Sequence, residues 1–273
     1  MRRLINQRIS RPLAFFLGAL PFIIAILLYM AASTEHLSEN PNDKLLPAFS
    51  TMGDTLLRMA TEENKRSGDI LLWVDTLASL ERLAMGVGIS ATIALLFGLT
   101  LGALPLLRAN LSPFTTAISM VPPMALLPVL FIVFGLGEVS KVVLIVIGIT
   151  PYLIRELQSR VSELPTEQWI KAQTLGANSW QLMLRMVLPQ MLPRLVDALR
   201  LSMGAAWLFL IAAEAIASTD GLGYRIFLVR RYLSMDLILP YVAWVTLLAF
   251  IIDWLLIKLN QKLFPWFEAV GKS

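Results

Sequence analysis

The chain has 273 residues, 57% of them hydrophobic and 15% charged, with a net charge of +4. Soluble domains run about 45–50% apolar and roughly 25% charged, so a water-soluble fold of this make-up would expose large apolar patches, and the bilayer is the solvent that fits. With no cysteine and one histidine, His36, disulfides, thiolate nucleophiles and Cys- or His-cluster metal sites are excluded.

In chain order, Arg2, Arg3, Arg8 and Arg11 precede an apolar stretch from Pro12 to Ala32. At about 21 residues it is long enough to span and longer than a signal-peptide core. Ala31, Ala32 and Ser33 leave cleavage open, but a retained first span with its start held in the cytoplasm by the basic residues is the preferred reading. Ser33 to Asp75 is polar and mixed in charge, an external loop in which Leu45 to Met59 has the apolar spacing of a surface-lying helix.

Arg82 to Arg108 encloses about 25 uncharged residues and Arg108 to Glu138 about 29, each enough to cross with some tilt. Arg108 then marks a short cytoplasmic turn, with Pro113 near the next helix start. Pro122, Pro123 and Pro128 kink the third span; the bend is read as structural first, with a widened pathway as the functional alternative. Gly98 and Gly102 form a small-xxx-small pair that favours close packing inside one subunit.

Val142–Ile154 and Leu201–Ala213 are short unless Lys141, or Arg194, Asp197 and Arg200, enter the membrane boundary. Leu237–Ile257 reaches full length only by including Asp253. The expected fold is therefore an all-α integral membrane bundle of about six transmembrane helices. Alternation from a cytoplasmic amino terminus puts Arg155–Arg200, Lys258 and Lys262 inside, as the positive-inside rule asks. Arg225, Arg230 and Arg231 fall outside and break the rule. An anionic solute or an acidic binding-protein surface would explain them, and so would snorkelling to lipid phosphate. Glu214 and Asp253 are acids near membrane depth. Either can touch solute or pair with a basic residue, and pairing is preferred.

On the cytoplasmic side, "ELPTEQWIKAQTLGANSWQLMLRMVLP" departs from the apolar pattern. Pro165 and Thr166 suit a helix start, with Glu167 in its first turn. Gly176 breaks that helix, Ser179 is the expected cap of a second, and Trp180, Leu184 and Val187 recur along it at helical spacing while Arg185 points elsewhere. Pro189 and Pro193 open the next span. Two short helices with a glycine corner make a knob suited to a groove on a soluble partner; the plain alternative is a loop resting on the bilayer.

These residues resemble the cytoplasmic signature of ABC importer permeases: Glu-Ala-Ala, three residues, Gly, nine residues, Ile, one residue, Leu-Pro. Ala172 fits the last Ala, Gly176 the Gly, Met186 the Ile, and Leu188–Pro189 the close. Ile170 and Lys171 stand where Glu and Ala are usual, so the acid of the motif is missing. "DTLASLERLAMGVGISATIALLFGLTLG", "PPMALLPVLFIVFGLGEVSK" and "AEAIASTDGLGY" extend the resemblance to the nitrate/sulfonate/taurine branch, over most of the chain from about Leu45 to Phe267.

The resemblance implies a type I ABC importer permease fold. Residues 1–32 form the cytoplasmic start and first span, 33–76 an external loop, 77–263 the permease core with its coupling loop at about 163–189, and 264–273 a cytoplasmic tail. It implies a homodimer in the bacterial inner membrane, two cytoplasmic ATPases that use ATP and Mg, and a periplasmic or lipid-anchored binding protein. Ala172, Gly176, Ala177, Ser179, Met186, Leu188 and Pro189 become ATPase-coupling residues. Pro122, Pro123 and Glu214 become candidates for the pathway, and Arg225, Arg230 and Arg231 for contact with the anion or the binding protein. The implied cargo is a small anion: sulfonates including taurine first, then nitrate or phosphonate, with a thiamine-precursor pyrimidine as the alternative.

No cofactor, metal or nucleic acid is expected on this chain, and no catalysis. The terminal "GKS" lacks the glycine a phosphate loop needs, because Trp266 holds that place. An ion-coupled secondary transporter would need internal repeats and midplane ion ligands. A membrane enzyme would need a cluster of reactive groups. The sequence offers little for either.

Overall fold

The computed structural model describes residues 10–40, 44–64 and 68–267, and among them every regular element is helical. Arg2, Arg3, Arg8 and the terminal "GKS" lie outside that range.

The first helix, α1 (Arg11–Glu39), has Pro12 in its first turn, where the missing N–H has no helical acceptor to satisfy. It runs on past Ala32. None of its most apolar stretch is buried, and Phe15 and Phe22 point outward as lipid-facing side chains do. Two hydroxyls tie it to the segment before the next helix: Tyr29 Oη donates to the Pro47 carbonyl (2.7 Å) and Ser33 Oγ to the Leu46 carbonyl (2.9 Å). The amphipathic α2 (Phe49–Thr61) is the expected surface helix, set slightly later than read from sequence, and it leans on α3 and α11.

Helix α3 (Leu71–Ala103) begins a full three turns before Arg82, the residue expected to mark its start. Arg82 instead lies inside the helix and is 3% exposed. Along α3, glycines let α6 (Glu138–Ser162) approach closely. A Cβ at Gly98 would stand 2.6 Å from Leu157 Cβ, and one at Gly102 2.4 Å from Val161 Cβ. The small-xxx-small pair thus packs within the chain, as expected. Facing it on α6 are Ile145, Ile149, Leu153, Leu157 and Val161, all buried.

The turn after α3 is tight: Leu104 separates it from α4 (Pro105–Ser119). Arg108 reaches back from the first turn of α4, donating Nε to the Leu101 carbonyl (3.0 Å) and an Nη to the Gly102 carbonyl. It so satisfies the orphan carbonyls at the end of α3. Pro113 falls inside α4 rather than at its start. The expected kinked third span is two helices, α4 and α5 (Pro123–Phe134), bent by 92°. Pro122 and Pro123 lack the N–H groups that would carry the helix through, and Pro122 sits in extended backbone as the cap of α5.

After α6 come α7 (Thr166–Thr174), α8 (Ser179–Gln181), a π turn (Leu182–Val187) and α9 (Leu188–Ala217). The last three form one continuous helix of 39 residues. Then α10 (Leu222–Val229) and a 3₁₀ turn (Arg230–Tyr232) lead into α11 (Met235–Leu263).

By length and composition α1, α3, the α8–α9 helix and α11 can each cross a membrane, and the α4–α5 pair is a fifth if counted as one bent span. Helix α6 is long enough at 25 residues but carries Lys141, Arg155, Glu156 and Arg160. Length and composition thus give four spans, or five with the bent pair, against the six expected, with α6 the element too charged to qualify. Several of their charges are satisfied internally. Lys141 donates to Glu138 (2.8 Å) and Ser218 (3.0 Å), and Arg200 pairs with Asp253 (2.8 Å) across α9 and α11. Asn260 joins the same two helices through Asp197 (3.0 Å). The buried apolar core runs between α3, α6 and α9, with Leu210, Leu222 and Tyr241 at its α10–α11 side.

Candidate functional site

The knob is built by two capping devices placed back to back. At the end of α7 the Ala177 N–H reaches the Ala172 carbonyl (3.0 Å) and the Gly176 N–H reaches the Gln173 carbonyl (2.9 Å), with Gly176 at φ +81°. That is a Schellman closure, which needs a left-handed residue at Gly176. The next residue but one opens α8. Asn178 Oδ1 accepts from the Gln181 N–H (2.8 Å) while Gln181 Oε1 accepts from the Asn178 N–H (3.0 Å), a reciprocal capping box. The cap is therefore Asn178, and Ser179, expected in that role, is the first helical residue.

The π turn arises from the sequence just beyond. Leu188 donates to Met183, five residues back, and Pro189 has no N–H to offer Arg185. Its altered register splits the expected stripe: Val187 is fully buried, whereas Leu184 is exposed and Trp180 is 68% exposed. Trp169, Met183 and Met186 root the knob on the core. Leu175, at 88% exposure, and Trp180 project from it. A hollow of about 360 Å³ in the knob is lined by Ala172, Gly176, Ala177, Met186 and Arg185, among others. Of the predicted coupling residues, Ser179, Leu188 and Pro189 stand outside this hollow. Leu188 and Pro189 form the start of α9, and Pro193 lies inside it.

At the opposite end of the bundle is a polar cluster whose members look unrelated in the sequence. Arg82 binds three carboxylates: Glu138 (Nη2–Oε1 2.9 Å), Glu214 (Nη1–Oε1 2.8 Å) and Asp220. Ser79 Oγ donates to Glu214 (2.8 Å) and accepts from the Leu222 N–H (2.9 Å), while the Gly223 N–H donates to Glu214 (2.8 Å). Asp75 takes Arg225 Nε (2.7 Å), the Gly221 N–H (3.0 Å) and Tyr241 Oη (3.3 Å). Gly221 sits at φ +109°, and a Cβ there would lie 2.5 Å from Glu214 Cδ. The signal for this cluster was Asp75, Ser79 and Arg82, at i, i+4 and i+7 on one face of an otherwise apolar helix.

This arrangement relocates several predicted residues. Glu214 is 0% exposed and enclosed by Arg82, Ser79 and Gly223, so it presents no surface to a solute. Arg225 turns inward onto Asp75 and is separated in role from Arg230 and Arg231, which are exposed on the 3₁₀ turn. Arg230 rests 5.9 Å from the Phe227 ring centroid. Pro122 and Pro123 form the α4–α5 bend, and Pro123 borders a cavity of about 400 Å³ against α6. Among the described residues no group of acids and histidine could hold a metal ion.

Comparison with known proteins places these two ends in context. Residues 92–265 match the binding-protein-dependent transport system inner membrane component family. The chain is 33% identical over 198 residues, 72% of each protein, to the taurine transport system permease protein TauC of Escherichia coli (strain K12). It is 28% identical over 189 residues, 69% of this chain and 68% of the other, to the putative aliphatic sulfonates transport permease protein SsuC of Bacillus subtilis (strain 168). In fold it is similar to a chain of the MetNI methionine ABC transporter in inward-facing conformations, with a TM-score of 0.61 at 19% identity, covering 70% of this chain and 95% of that one. With its multi-pass helical bundle, the chain belongs to the family of inner membrane components of binding-protein-dependent transport systems, the permease subunits of ABC importers.

Proposed function

We propose that two copies of this chain form the pathway of an importer for a small anionic solute, sulfonates including taurine first, and that each copy docks a cytoplasmic ATPase through the knob around Gly176. The observation that carries this is the knob itself: an apolar-tipped, doubly capped corner that is continuous with a 39-residue helix running the length of the bundle. Similarity to permeases named for taurine and aliphatic sulfonates supports the solute class.

In this reading the chain lies in the inner membrane with its amino terminus in the cytoplasm. It binds no cofactor and performs no catalysis; ATP and Mg are used by the ATPase. A binding protein delivers solute at the end that carries Arg230 and Arg231. The missing motif acid leaves the docking contact to Leu175, Trp180 and the hollow beside Arg185. Glu214 and Asp253, the acids an ion-coupled rival would need, are taken up by Arg82 and Arg200.

The test is crosslinking together with transport. Ala177→Cys, in a chain otherwise free of cysteine, is expected to crosslink to a co-expressed ABC ATPase subunit, and proteoliposomes with both subunits and the binding protein are expected to take up taurine only with ATP. Uptake by the chain alone on a proton or sodium gradient would overturn the reading.

A further inference from the structure

From the crook of the α4–α5 bend, we infer that the cavity between it and α6 is an anion-holding site on the solute's route, with Arg155 as its cation. The inference rests on the importer reading and adds to it a place and a chemistry for the solute.

Helix α6 has two unlike faces. Ile145, Ile149, Leu153 and Leu157 are buried against α3. The other side presents Gly148, Tyr152, Arg155 and Ser159 at helical spacing, all lining the cavity. Its volume of about 400 Å³ lies within the usual size of small-molecule sites. Ile118, Val121 and Pro123 supply apolar wall across from α6.

The charges in the cavity are unequal. Glu156 lines it too, but Arg160 Nε holds that carboxylate at 2.8 Å. Arg155 donates to the Ser119 hydroxyl at 2.9 Å, a neutral partner that leaves its charge uncompensated. The Ser119 hydroxyl proton is spent on the Thr116 carbonyl (2.7 Å), so the guanidinium supplies the donors, and its planar fork can pair two oxygens of an oxyanion. Pro151 adds the opposite polarity: it has no N–H for the Ile147 carbonyl four residues back, and Ile147 lines the same cavity. The cavity therefore offers a cation at Arg155 and, about two turns of α6 away at Ile147, a carbonyl without its helical donor; the cation is the part that suits a sulfonate. Arg155 lies about 10 Å along the axis from the Ser162 end of α6, the end that leads into the knob. Its anion would sit at the cytoplasmic side, where ATPase movements arrive.

Ser159→Cys gives a single thiol in the cavity. In nanodiscs holding the permease with its ATPase, this thiol is expected to react roughly tenfold faster with an ethanesulfonate-bearing methanethiosulfonate than with its trimethylammonium counterpart, each rate normalised to a free small thiol. Arg155→Gln removes that preference, Arg155→Lys keeps it, and tens of millimolar taurine slows the anionic reagent. Equal normalised rates overturn the inference, as does a preference that survives Arg155→Gln. A preference without taurine protection assigns Arg155 to lipid phosphate and overturns it as well. Labelling needs no ATP-driven uptake. Anion preference without such uptake therefore sinks the importer reading alone, and uptake without the preference sinks this site alone.

Discussion

Arg82 holds carboxylates from three separate segments: Glu138 at the start of α6, Glu214 near the end of α9, and Asp220 in the loop between α9 and α10. Removing a single partner of a buried ion pair strands the other charge at a cost of about 3–5 kcal/mol. Arg82→Gln is expected to reduce folded yield sharply in size-exclusion profiles, and Glu214→Gln in the same background is expected to restore part of it. Glu138→Gln is milder, since that carboxylate is more than half exposed and water screens it. Gly176→Ala tests the corner. The added Cβ meets nothing, so its effect is the left-handed backbone alone, about 1 kcal/mol. The expected outcome is impaired ATP-driven uptake with an unfolding temperature lowered by no more than a few degrees. Gly176 was legible because only a few residue types accept its conformation. Asn178 and Ser179 are equally good caps by type. Once Gly176 and Ala177 close the Schellman turn, Asn178 takes the cap, and Gln181 three residues later was the sequence sign of it.

Elements can be read from runs of apolar residues more readily than their ends can. Arg82 looked like a boundary because a charge in a membrane helix is costly. Its three partners remove that cost, and two of them lie more than 130 residues away in sequence, beyond the reach of any local pattern. The third span shows the converse limit: its uncharged length was sufficient, yet Pro122 and Pro123 divide it into two helices at 92°. Prolines announce a disturbance and do not give its angle. The α3–α6 contact was foreseen from Gly98 and Gly102 alone. Gly98→Val places new atoms inside the volume of Leu157 and is expected to destabilise by about 1–3 kcal/mol, read as a lower unfolding temperature, with partial rescue by Leu157→Ala.

Across the whole molecule, α1 stands apart. Tyr29 and Ser33 anchor it, both bonded to the segment just before α2. A variant lacking residues 1–40 is expected to retain the folded α3–α6–α9 core, with an unfolding transition close to that of the full chain; loss of the transition would place α1 in the core. At the other extreme, the helix from Ser179 to Ala217 joins the glycine corner to the polar cluster at the far end. Within it the Leu182–Val187 turn takes its Leu188 bond five residues back, so it contains a surplus residue compared with a regular helix. The wide turn absorbs that surplus locally, since its six residues rotate the chain about as far as five do in ordinary helix. Deleting Leu184 would let the rod close into ordinary helix and leave Trp180 and Leu175 at nearly the same azimuth. One residue inserted into the regular stretch of α9 instead, with no bulge to absorb it, would swing them around the axis by about 100° and turn the apolar tip of the corner away from its present side.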